Sequence, residues 1–117
     1  NMSMAFESVG FYSEKDVLEN IKNYVDFHYE KDLTQEFVAS LFRMNRSYLS
    51  SAFKARTGTS FVDYVNQVRI SHAKEMLKKT DKKTYQIAQA VGYENAKYFF
   101  RVFKKMEGIT PEQYRNQ

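Results

Sequence analysis

Apolar positions recur along this chain at spacings of three and four, the period of a helix buried on one face. Val17, Leu18, Ile21, Tyr24, Val25 and His28 form the first such stripe. It is opened by Ser13-Glu14-Lys15-Asp16, a hydroxyl cap with carboxylates near the positive end of the helix dipole. His28 closes the stripe as a stacked or capping residue. A short second helix is predicted from the cap Thr34, with Phe37, Val38 and Leu41 inward and Ala39 leaving room for close helix approach. A sharp turn over residues 42–45 leads to a third helix capped by Asn45. Its buried stripe is Leu49, Ala52 and Phe53, while Arg46, Ser47, Ser50, Ser51 and Lys54 face away.

Gly58 supplies a left-handed stop and Ser60 caps the next helix. No breaker interrupts the stretch from Phe61 to about Lys79. There the apolar face shifts, from Phe61, Tyr64, Val65 and Val68 to Ile70, Ala73 and Leu77, as expected of a strut shared by two subdomains. After a charged connector, Lys78 to Lys83, a cap at Thr84 starts a short helix with Ile87, Ala88 and Val91, and Gly92 makes a turn. Asn95 caps a helix with the buried stripe Phe99, Val102, Phe103 and Met106. Gly108 stops that helix, and Thr110-Pro111 heads a short last one ending near Arg115.

The second set of elements repeats the first. Tyr48, Leu49, Phe53-Lys54, Gly58, Ser60 and Tyr64 recur 50 residues later as Tyr98, Phe99, Phe103-Lys104, Gly108, Thr110 and Tyr114. In each copy a short helix, a tight turn and a longer helix with a polar outer face make a helix-turn-helix, whose second helix enters the DNA major groove. One helical hairpin of this kind is weak evidence; two, with Ala39 and Ala88 at matching places, are much stronger.

Composition narrows the class. With 4 Gly and 1 Pro in 117 residues there is little turn chemistry for a sandwich or barrel, so the expected fold is all-α. The absence of cysteine excludes disulfides, a thiol nucleophile and cysteine-ligated zinc. His28 and His72 are the only histidines, and no ligand cluster accompanies them, so no metal or other cofactor is expected. Paired carboxylates and a glycine-rich phosphate loop are also missing, which argues against an enzyme. The apolar runs are too short to span a bilayer and the first residues lack the order of a signal peptide, so a cytoplasmic protein with no membrane partner is expected. Net charge is +4, divided unevenly. Residues 1–40 hold 3 basic and 8 acidic side chains, a balance of −5, so residues 41–117 carry +9. Basicity confined to the part with both repeats suits a phosphate-binding face; a merely solvated basic surface is the alternative.

The segment Ile87-Ala88, Val91-Gly92-Tyr93, Tyr98-Phe99, Arg101, Phe103-Lys104-Lys105, Gly108, Thr110-Pro111 and Tyr114-Arg115 resembles the signature of the AraC/XylS transcription regulators. Tyr48-Leu49, Phe53-Lys54, Gly58, Ser60-Phe61, Tyr64, Arg69-Ile70, Ala73 and Leu77 resemble the first half of the same DNA-binding domain, so the likeness covers roughly residues 14–115. It implies seven helices: helix-turn-helix subdomains at about 34–57 and 84–107, joined by a long central helix at about 61–79. It also implies double-stranded DNA as partner, two recognition helices in successive major-groove segments about 10 bp apart, and RNA polymerase as a second partner.

On that resemblance, Arg46, Ser47, Ser50 and Ser51 take the base-facing positions of the first unit, where three short hydroxyls should discriminate weakly unless water extends their reach. In the second unit Lys97 and Arg101 lie one turn apart on the outer face, and Arg101 can present its fork to guanine O6 and N7. Phe100 would pack on a thymine methyl or be partly buried against the preceding short helix; Ala96 offers a smaller apolar contact. Phosphate contacts are expected from the helix starts near Thr34 and Thr84, from Lys54, Lys104 and Lys105, and from the hydroxyls of Tyr48 and Tyr98, each with a core or surface role as the alternative.

Two departures stand out. Arg43 occupies the turn position held by Gly92 in the second unit, and the first unit is one residue shorter between its alanine and its tyrosine. The acidic first helix with Asn23-Tyr24-Val25 and the Thr84-Tyr85-Gln86-Ile87 opening look most like response regulators of the YesN type. An N-terminal receiver or effector domain is then expected to precede this module, with residues 1–12 as a linker or a cloning remnant. The competing class is a helical protein-interaction module of a regulator, which would expose an apolar groove instead of the Arg46/Ser50/Ser51 and Lys97/Arg101 faces.

Overall fold

A computed structural model describes residues 14–117. The expected cap Ser13 and the expected linker at residues 1–12 lie outside the described residues. Seven helices are present among the described residues: α1 (Glu14–Phe27), α2 (Gln35–Leu41), α3 (Arg46–Thr57), α4 (Phe61–Lys79), α5 (Thr84–Ala90), α6 (Ala96–Glu107) and α7 (Pro111–Arg115). They form two compact units. The first contains the described residues up to His28 together with Leu33–Tyr64; the second contains Tyr29–Asp32 and Val65–Gln117.

In the first unit α3 packs on α1 and α2. Leu18, Ile21, Val25, Val38, Leu49, Phe53 and Phe61 are buried, with Phe53 edge-on to Phe61 at 5.6 Å. Each such side chain contributes about 1.5–3 kcal/mol by leaving water. The His28 ring lies against that of Tyr24 with centroids 4.4 Å apart and the planes tilted by 35°. Thr34 caps α2 by accepting from the Phe37 amide at 3.2 Å.

The buried face of α2 differs from expectation. Val38 and Ala39 are buried, whereas Phe37 and Leu41 are exposed. These two are four residues apart and share a face, so turning Val38 and Ala39 inward carries both toward solvent. The turn after α2 holds Arg43 at φ 60°, a left-handed backbone that most side chains avoid.

In the second unit the later part of α4 packs with α5, α6 and α7 around Ile70, Ala73, Leu77, Ile87, Ala88, Val91, Tyr93, Phe99, Val102 and Phe103. Thr84 is the first residue of α5 and not its cap; the cap is Lys83. The Lys83 amide donates to the Gln86 side chain at 2.9 Å, the reciprocal half of a capping box, in which the third helical residue reaches back to the cap's own amide. The short segment Tyr29–Asp32 belongs to this unit because Arg69 holds it: Nε donates to the Tyr29 carbonyl and a terminal nitrogen to the Lys31 carbonyl, each at 2.7 Å. His72 stacks flat on Tyr29 at 3.8 Å.

Both longer helices of the repeats start and stop alike. Asn45 and Asn95 accept from the amides of Tyr48 and Tyr98, at 2.7 and 3.1 Å. Gly58 and Gly108 end the helices in left-handed backbone, with φ 78° and 83°, donating back to the carbonyls of Lys54 and Lys104.

Candidate nucleic-acid interface

Each unit presents one capped helix, α3 or α6, whose inner stripe is core and whose outer face is polar. On α3 the buried residues are Leu49, Ala52 and Phe53. Arg46, Ser47, Ser50 and Ser51 are exposed and line an open hollow of about 230 Å³. Lys54, in the last turn, is exposed on the same helix. Arg46 already has a partner that the sequence did not suggest: its Nε lies 3.3 Å from a carboxylate oxygen of Glu36 on α2. Tyr48 is exposed in the first turn of α3. Thr34 is exposed too, but its hydroxyl oxygen is committed to the α2 cap.

On α6 the inner stripe is Phe99, Val102 and Phe103. Lys97, Phe100, Arg101, Lys104 and Lys105 are exposed. Phe100 is 38 % exposed with its ring 5.8 Å from that of Phe99, so part of it is left to meet an apolar partner. Ala96 is half-buried against the second core and offers little outward surface. The Arg101 guanidinium sits 5.4 Å from the Tyr98 ring centroid, one turn back along the helix, a cation–π seat that orders a long side chain.

Tyr98 is half-buried, and its hydroxyl oxygen accepts from the Asn66 amide nitrogen at 3.3 Å. Asn66 in turn accepts from the Tyr93 hydroxyl at 2.6 Å. Burial raises the Tyr93 pKa well above the ordinary tyrosine value, so that hydroxyl keeps its proton. Arg69 lies over the Tyr93 ring at 5.2 Å. Asn66, Arg69 and Tyr93 were not singled out as site residues from the sequence; the one available sign was an asparagine between the buried Val65 and Ile70 on a helix. Thr84 is half-buried at the start of α5.

Among the described residues no group of three or more His, Asp or Glu side chains is placed to hold a metal ion, and no helix is long and apolar enough to cross a membrane. Every buried side-chain nitrogen or oxygen among them has a hydrogen-bond partner. The outer faces of α3 and α6 are the matching exposed polar and basic faces of the two repeats.

A family model described as a helix-turn-helix domain matches residues 38–117. The HTH-type transcriptional regulator YtdP of Bacillus subtilis is 41% identical over 103 residues, which cover 88% of this chain and 13% of YtdP. The solved C-terminal domain of AraT, a response regulator from Geobacillus stearothermophilus, is 35% identical with a TM-score of 0.82, covering 86% of this chain and 84% of that one. The C-terminal domain of the two-component response regulator YesN from Fusobacterium nucleatum is 39% identical with a TM-score of 0.79, covering 83% and 95%. The chain spans between 13% and 45% of the length of the curated relatives it matches. With the paired hairpins, the capped outer helices and these likenesses together, the chain belongs to the AraC-type helix-turn-helix family.

Proposed function

We propose that this chain binds double-stranded DNA sequence-specifically as the DNA-binding part of a bacterial transcription regulator, with α3 and α6 as its recognition helices. One observation carries this: each unit turns a capped helix outward with a polar, basic face, and on α6 that face sets Arg101 and Lys97 one turn apart with Arg101 seated on Tyr98. A guanidinium held in this way suits the guanine edge in the major groove. Ser47, Ser50 and Ser51, with Arg46 paired to Glu36, suit a less discriminating first helix. Lys54, Lys104 and Lys105 suit phosphate neutralisation, and Tyr48 and Tyr98 phosphate contact through their hydroxyls.

The whole protein is then a longer regulator in which a receiver or effector domain precedes this module, the likeness to the response regulators AraT and YesN favouring the receiver, and it acts on RNA polymerase in the cytoplasm. Its role is regulation and not turnover. Selection of bound duplexes from a random library, followed by a salt series on the winner, tests the function. A two-part motif, bound more weakly as salt rises, is expected. No enrichment at low salt would overturn it in favour of a protein-interaction module.

A further inference from the structure

From the polar cluster behind α6 we infer that Asn66 is a positioning residue for the DNA interface: through Tyr93 it fixes the Tyr98 hydroxyl as an outward donor to a phosphate oxygen. This rests on the DNA-binding function proposed above. Asn66 is the one buried polar or charged residue among those described, 7 % exposed. A buried amide must place its oxygen and its nitrogen against groups of opposite sense. The 2.6 Å contact with Tyr93 suits an O–H donor, and the 3.3 Å contact with Tyr98 suits a longer N–H donor. Tyr93 is buried, and its raised pKa keeps the proton it donates. The amide oxygen is thus spent on Tyr93, leaving the amide N–H for Tyr98.

The consequence falls on Tyr98. Its hydroxyl oxygen already accepts from Asn66, so its own proton has no use in the core and is free to donate outward. Tyr98 lies in the first turn of α6, and its ring carries Arg101. One side chain therefore serves two contacts, with the hydroxyl for phosphate and the ring for the arginine that reads a base. Asn66 sets the direction of the first and steadies the second, although it touches neither DNA nor Arg101. Arg69, on the next turn of α4, lies over Tyr93 and holds Tyr29 and Lys31, so the near end of this relay is fixed as well.

The test is a double-mutant cycle of Asn66→Asp with Tyr98→Phe, read as affinity for a selected duplex and for random DNA. A carboxylate only accepts, so Asn66→Asp turns the Tyr98 proton inward. In the parent protein, Tyr98→Phe should weaken both duplexes about tenfold, the loss of a hydrogen bond to a charged group. In the Asn66→Asp background the same change should cost nothing further. Tyr98→Leu, which also removes the ring, should lower the ratio of selected to random binding, whereas Tyr98→Phe should leave that ratio unchanged. Tyr93→Phe frees the amide to flip and supplies the same comparison should Asn66→Asp fail to fold, judged by circular dichroism. Independent, additive losses in both backgrounds would overturn the inference while leaving DNA binding intact. A parent protein that selects no duplex at all would instead overturn the DNA-binding function itself.

Discussion

Arg46 on α3 and Glu36 on α2 form an ion pair of 3.3 Å with both side chains largely in solvent. Such pairs contribute about 0–1 kcal/mol, so Glu36 holds Arg46 only loosely and can release it to a phosphate or a base. It also places a negative charge beside the hollow lined by Arg46, Ser47, Ser50 and Ser51. Glu36→Gln should change stability by less than ~0.5 kcal/mol. It should tighten binding to selected and random duplexes alike and steepen the salt dependence by about one unit of slope. Duplex titrations across salt measure both. Weaker binding confined to the selected sequence would show instead that Glu36 reads a base, as a carboxylate can at cytosine N4.

Arg101 and Lys104 are both exposed on α6 and differ in where they sit: Arg101 on the mid-helix outer face over Tyr98, Lys104 in the last turn. Arg101→Ala should lose about 1–3 kcal/mol on the selected site and relax preference at one base position. Lys104→Ala should weaken all sequences and reduce the salt slope by about one unit. Equal losses on selected and random DNA for Arg101→Ala would remove it from base readout.

What the sequence could and could not reveal follows from the range of the chemistry involved. Asn45, Asn95, Ser60, Thr110, Gly58 and Gly108 act within three or four residues of their partners, and each does what its local pattern predicts. Helices α3 and α6 are each twelve residues long, enough turns to define the phase of their inner stripes. Helix α2 has seven, and there one step of 100° decides between Val38 with Ala39 and Phe37 with Leu41. The α5 start lies one residue earlier than the Thr84 hydroxyl suggested, with Lys83 as cap and Gln86 reaching back to its amide. The Asn66–Tyr93 and Arg69–Tyr29 pairs join residues 27 and 40 positions apart, a separation that no periodicity encodes.

Two tyrosines predict an alkaline limit to stability. The pKa of Tyr64 is raised first by burial, then by the hydrogen bond it donates to Asp26 at 2.7 Å, and then by the charges of Asp26 and Glu19; that of Tyr93 is raised mainly by burial. Folded pKa values above the unfolded value of about 10 mean that the unfolded chain releases these protons first. Stability is therefore unaffected by them below about pH 10 and falls as pH rises beyond it. Urea melts at several alkaline pH values should show the decline. Tyr64→Phe should make it shallower in the first unit, and an unchanged slope would exclude Tyr64 as a source.

Gly92 and Arg43 occupy matching turns, four residues after Ala88 and Ala39, and both have positive φ, 108° and 60°. They should respond oppositely to substitution. A Cβ at residue 92 would lie 2.8 Å from the Tyr29 carbonyl oxygen and 2.9 Å from the Arg69 guanidinium, whose own bond to that oxygen fixes both in place. Backbone strain of ~1–3 kcal/mol adds to the clash. Gly92→Ala should therefore cost roughly 3 kcal/mol or more, among the larger effects of a single substitution. Arg43→Gly relieves about 1–2 kcal/mol of left-handed strain and returns ~0.5–1 kcal/mol to the more flexible unfolded chain, so it should be neutral to slightly stabilising. Amide exchange separates the two cases, because Gly92→Ala should speed exchange in α5 and α6, whereas Arg43→Gly should leave α2 and α3 as protected as before. Parent-like protection of α6 in Gly92→Ala would mean that the Tyr29–Asp32 segment yields freely, and that Arg69 does not anchor it.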